Sequence, residues 1–142
     1  DEALDYYYKH CKRNVADACK HFLLELHERD KRECEVLEKT CNLNIEFTPI
    51  ACRRLGELYF LGKNCANQDY EKALKYTKIA CNKGDAMGCS HVGHIIIDHT
   101  SKNKNNLTTK AISKKLSAAK DYLSKGCALG EATACTTLEM IE

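Results

Sequence analysis

Tyr76-Thr77-Lys78-Ile79-Ala80-Cys81-Asn82-Lys83-Gly84 returns 46 residues later as Tyr122-Leu123-Ser124-Lys125-Gly126-Cys127-Ala128-Leu129-Gly130. Aromatic, cysteine and glycine keep their offsets in both copies. Self-similarity of this kind marks a repeat architecture. The cysteines extend it along the chain in four pairs, Cys11/Cys19, Cys41/Cys52, Cys81/Cys89 and Cys127/Cys135, whose first members step by 30, 40 and 46 residues. Seven residues separate the members of three pairs and ten those of the second. An aromatic stands five residues before the first cysteine at Tyr6, Tyr76 and Tyr122; Val36 takes that place in the second pair.

Helical periodicity turns the spacing into geometry. Each first cysteine closes a helix and each second one lies in the first turns of the next. Gly84 and Gly130 fall where a helix C-terminus favours positive φ. Asp85 is the expected N-cap that follows Gly84. Thr48-Pro49 reads as an N-cap and first helical position. The predicted helices are 2–11, 15–28, 31–41, 49–61, 69–82, 86–98, 111–126 and 132–141, with a polar loop over 99–110. No segment alternates as a strand does. Consecutive helices joined by short turns pack antiparallel, so the expected fold is all-α: an α-solenoid of antiparallel helix pairs stapled by disulfides, one domain over 1–142.

Ten cysteines, regularly spaced and even in number, predict a disulfide framework. Each of the four pairs straddles one helix-to-helix turn. A bridge there closes a short loop and stabilises by roughly 2–3 kcal/mol. Cys34 and Cys65 stand outside the repeat. Near the start of helix 31–41 and in the turn after 49–61, they fall on one edge of a solenoid. A fifth bridge is expected, with two free thiols as the alternative. Bridges imply an oxidising compartment. A reduced cytosolic chain and tetrahedral zinc are the rivals, but the short C-x(2–4)-C clips of zinc sites are absent.

Charge excludes some partners. Net charge is +2, with 22 basic and 20 acidic residues. Nucleic acid needs a basic face, and none is expected as a partner. Apolar residues make up 44% and charged ones 30%. No stretch approaches the ~20 apolar residues that span a bilayer. No signal or transit segment is legible ahead of the first helix, which decides nothing about targeting.

Leu55-Gly56-Glu57-Leu58-Tyr59, Gly62, Asp69-Tyr70-Glu71-Lys72-Ala73-Leu74-Lys75-Tyr76 and Ala80-Cys81 together resemble the Sel1-like repeat. Two cysteine-rich branches of that family are candidates. One comprises secreted bacterial proteins, some described as binding β-lactams. The other is the Sel1-repeat cytochrome c oxidase assembly factor of the mitochondrial intermembrane space. A short first unit, the long loop 99–110, and the text Cys89-Ser90-His91-Val92-Gly93-His94-Ile95-Ile96-Ile97-Asp98 are more similar to the second. Cys34 and Cys65 depart from the repeat. The resemblance implies a non-catalytic scaffold in the intermembrane space, docked on a respiratory-chain membrane complex. The alternative is a secreted or periplasmic protein that binds a β-lactam-like ligand or a host component.

Few residues invite chemistry. His91 and His94 share a helix face and His99 follows. A metal or haem site is the sharp reading. A half-buried helix with polar edges is the plainer one, because no second ligand cluster lies nearby in sequence. No cofactor or metal is expected. Thiol exchange would favour Cys-x-x-Cys at a helix start, and nucleotide and hydrolase motifs are absent. Catalysis is not expected, with a β-lactam hydrolase or thiol oxidoreductase as the remaining enzymatic classes. Arg29-Asp30-Lys31-Arg32-Glu33 reads as a solvated turn of mixed sign.

Partner contact is expected at Tyr6, Tyr7 and Tyr8. Three consecutive helical residues cannot all face a core, and exposed tyrosines anchor interfaces. The helices open with the second of one repeat and close with the first of another. The stripe Ala132, Ala134, Leu138 and Ile141 is therefore expected to need a cover, with Leu138 and Ile141 as contacts.

Overall fold

The computed structural model describes residues 2–26 and 30–141. Among them are eight α-helices and no strand: α1 (Glu2–Lys12), α2 (Ala16–Glu25), α3 (Glu33–Asn42), α4 (Thr48–Leu61), α5 (Tyr70–Asn82), α6 (Ala86–Lys102), α7 (Thr109–Ala128) and α8 (Ala132–Ile141). The chain divides into two compact units, one reaching to Tyr76 and one starting at Thr77. Each is a run of helix pairs, the repeating element of the α-solenoid class.

One turn is used three times. At the ends of α1, α5 and α7, the third residue after the first cysteine takes positive φ: Asn14 at 68°, Gly84 at 90° and Gly130 at 101°. The next N–H then reaches back to the residue before that cysteine, as in Val15 to His10 O at 3.1 Å, Asp85 to Ala80 O at 3.0 Å and Glu131 to Gly126 O at 2.9 Å. These bonds satisfy helix carbonyls that would otherwise be unpaired. They reverse the chain and carry the second cysteine back over the first. Cα–Cα separations are 4.6 Å for Cys11–Cys19, 4.4 Å for Cys81–Cys89 and 4.7 Å for Cys127–Cys135. Cys41–Cys52 closes the longer α3–α4 turn at 4.8 Å.

The core of the first unit gathers Leu4, Ala18, Phe22 and Val36 around the Cys11–Cys19 bridge. In the second unit, Gly93 of α6 lets Leu123 of α7 come close: a Cβ on Gly93 would lie 2.5 Å from Leu123 Cγ. Asp85 caps α6, its carboxylate accepting from Gly88 N–H at 3.0 Å.

Three local expectations need correction. Thr48 is not the cap of α4 but its first helical residue. Its buried hydroxyl works on the preceding helix, 2.9 Å from the Thr40 carbonyl oxygen and bonded to that of Leu43, so it serves the orphan carbonyls of α3. Most of the loop 99–110 is ordered structure. α6 continues to Lys102 because Ile95, Ile96 and Thr100 keep its apolar face buried, and Lys102 pairs with Asp98 at 3.1 Å. A 3-10 turn, Lys104–Asn106, follows, and Thr108 caps α7 through Ala111 N–H at 3.0 Å. The helix expected over 15–28 ends at Glu25, with Leu26 extended; residues 27 and 28 lie outside the described residues.

Candidate binding surfaces

The tyrosine run divides. Tyr8 turns toward α3, where its hydroxyl donates to the Glu35 carboxylate, 2.6 Å from Oε2 and 2.8 Å from Oε1. That bond, aided by burial, raises the Tyr8 pKa. Lys12 Nζ and the Arg32 guanidinium lie over its ring at 4.8 and 5.2 Å. Tyr6 and Tyr7 turn toward the α1–α2 turn. With His10, Val15 and His21 they line a shallow groove of about 240 Å³. Tyr6 is 60% exposed.

Arg32 organises the same region. It pairs with Asp5 at 2.7 Å and Asp30 at 2.8 Å, and covers Phe22 at 5.3 Å. The hydrogen bond from Arg32 holds the Asp30 carboxyl below its ordinary range. The run 29–33 is thus not a simple solvated turn. Arg29 lies outside the described residues, but Asp30 and Arg32 are half-buried and Glu33 is only 6% exposed.

Glu33 belongs to a cleft of about 940 Å³, which the sequence reading missed. Leu23, Leu26, Leu58 and Leu61 form its apolar wall, and Glu33, Arg54 and Glu57 its polar one. Arg54 Nε lies 3.4 Å from Glu33 and its Nη1 3.9 Å from Glu57. Asn64 donates from Nδ2 to Glu33 at 3.3 Å. Lys31 and Lys63 complete the lining. Beside the cleft Cys34 and Cys65, 31 apart in sequence, are bridged with Cα atoms 5.7 Å apart. Their neighbours Glu33 and Asn64 are thereby brought face to face. The only signal for this in the sequence was the pair of cysteines outside the repeat.

At the end of the second unit, α8 buries Ala134 against Gly126 of α7. Leu138 and Ile141 are half-buried, Ala132 is exposed, and Met140, not among the expected contacts, is 79% exposed. His94 bonds across to α8, its Nε2 2.9 Å from Thr137 Oγ1, with Ser90 Oγ 3.3 Å from its Nδ1. Those hydroxyls occupy both ring nitrogens. No group of three or more metal-ligating side chains occurs among the described residues. All ten cysteines are bridged. No described helix is long and apolar enough to cross a membrane.

Bridged antiparallel helix pairs with open surface grooves define a disulfide-stapled solenoid of the Sel1-like and TPR-like class. The family model for the Sel1 repeat matches residues 49–85. Among solved structures, Helicobacter pylori cysteine rich protein B is similar at 30% identity and a TM-score of 0.61, covering 96% of this chain and 92% of that one. No curated protein matches by sequence. The chain belongs to the cysteine-rich Sel1-repeat proteins.

Proposed function

We propose that the chain is a non-catalytic binding protein of an oxidising, extracytoplasmic compartment, secreted or periplasmic, that holds a protein partner. The observation that carries this reading is the likeness to H. pylori cysteine rich protein B over nearly the whole chain. Five bridges support the compartment, since such frameworks persist where thiols are oxidised. The mitochondrial assembly role implied by the irregular repeats gains no support from these comparisons. The cleft beside Glu33 is the proposed seat of the partner. It combines an apolar wall with fixed charges, the usual composition of a specific site.

A photo-crosslinking residue at Leu61, on the cleft, tests this against one at the exposed Glu139 on α8. In secreted or periplasmic material, a discrete adduct at Leu61 that excess unmodified chain competes away is expected. Identical adducts from both positions would overturn the reading. So would turnover of a chromogenic β-lactam by the purified chain, which would make it an enzyme.

A further inference from the structure

Tyr6 and Tyr7 meet edge to face, with ring centroids 5.8 Å apart and planes at 76°. His10 packs on Tyr6 at 4.3 Å and His21 on Tyr7 at 5.3 Å. His21 is held in turn by the Asp17 carbonyl, 2.8 Å from its Nδ1. The corner is therefore built before anything binds. Val15, 44% exposed, continues it as an apolar strip. Asp17, an exposed acidic residue, is among the lining residues, and no lysine or arginine is.

Tyr8, Tyr59, Tyr76 and Tyr122 each carry a lysine of this chain over the ring, at 4.8, 5.2, 5.1 and 5.9 Å. No such cation lies over Tyr6 or Tyr7 among the described residues. We propose that this aromatic corner receives a lysine or arginine side chain from a partner protein. The ring faces attract a cation, Val15 accepts its aliphatic stem, and Asp17 balances its charge. The groove is shallow and open at about 240 Å³. That shape suits a long side chain entering from a protein surface rather than a headgroup enclosed on all sides. Fixed tyrosines lose little rotamer freedom on contact.

The inference rests on the chain being a binding protein, but not on the Glu33 cleft. Its probe is acetyl-Gly-Lys-Gly-amide, titrated into the full chain at pH 8 and followed by the ring resonances of Tyr6 and Tyr7. The control peptide has norleucine in place of lysine, keeping the stem and losing the charge. The lysine peptide is expected to shift both rings and to bind more tightly than the control. Tyr6→Leu, at an exposed position, should weaken it about two- to fivefold, and Asp17→Asn should weaken it while leaving both rings in place. Lys104→Gln, at an exposed position in the second unit, should change nothing. Equal binding of the norleucine peptide, or no effect of either groove variant, would overturn the proposal. Tyr6-dependent sedimentation with phosphatidylcholine vesicles, without peptide binding, would overturn the protein partner in favour of a lipid headgroup. Crosslinking at Leu61 reads the general binding role independently of all these results.

Discussion

Asn64 donates to the Glu33 carboxylate at 3.3 Å while its own backbone stands at φ 55°. Two roles meet in one residue: it turns the chain after α4 and partners a buried acid. Asparagine tolerates this left-handed conformation better than other side chains with a Cβ. Asn64→Gly keeps the turn and loses the bond, and should cost about 1 kcal/mol. Asn64→Ala loses both, and should cost about 1–2 kcal/mol more. Urea unfolding of the two variants separates the contributions; equal costs would mean the turn is unstrained.

Stepwise reduction should follow exposure. Cys19, Cys52, Cys81 and Cys89 have no accessible surface, while Cys34, Cys65, Cys127 and Cys135 are half-exposed. An attacking thiolate must reach a sulfur. Timed alkylation under limiting dithiothreitol should therefore find Cys34–Cys65 and Cys127–Cys135 opened first. The other three bridges should open only with unfolding. Early labelling of Cys81 or Cys89 would contradict the order.

The helix pairs and their staples were legible because one local device repeats: a cysteine, a residue three later that reverses the chain, and a second cysteine five beyond. Glycine announced the device at Gly84 and Gly130. Asn14 performs it without a glycine, so only the cysteine spacing and Tyr6 marked the first turn as a copy of the others. The loop 99–110 misled because its polar composition outweighed the buried Ile95, Ile96 and Thr100 that carry α6 onward. The cleft was illegible for a different reason. Glu33 reads as one charge in a mixed run, and its partners Arg54 and Asn64 lie 21 and 31 residues away, beyond any local pattern. Of the three adjacent tyrosines, sequence indicated exposure but not which would turn to Glu35.

Acid should loosen the first unit through Asp30. Its carboxyl is held below the ordinary value of 3.8 chiefly by the hydrogen bond from Arg32. A depressed carboxylate contributes stability that is complete above its unfolded pKa and is lost as pH falls through the folded one. The urea midpoint should therefore fall below about pH 4 in the native chain. Asp30→Asn should start lower at pH 6 and fall less between pH 6 and pH 2. Parallel curves for the two proteins would remove Asp30 from the account.

Gly93 and Leu123 should be energetically coupled. A Cβ on Gly93 would meet Leu123 Cγ at 2.5 Å and Cδ2 at 2.6 Å, and the Ala119 carbonyl oxygen at 3.3 Å. The first two contacts are too short to exist, and Leu123 is fully buried, so it has little room to retreat. Gly93→Ala alone should cost about 1–3 kcal/mol through overpacking. Leu123→Ala alone should cost about 2–5 kcal/mol through the cavity it leaves. In the double variant the new methyl occupies part of that cavity, and the clash has lost its partner. Its cost should fall below the sum of the single costs by about 1 kcal/mol or more, well outside the scatter of independent sites. Thermal or urea unfolding of the four proteins measures the coupling. Simple additivity would show that α6 and α7 separate around the added methyl, and that Gly93 is not what sets their approach.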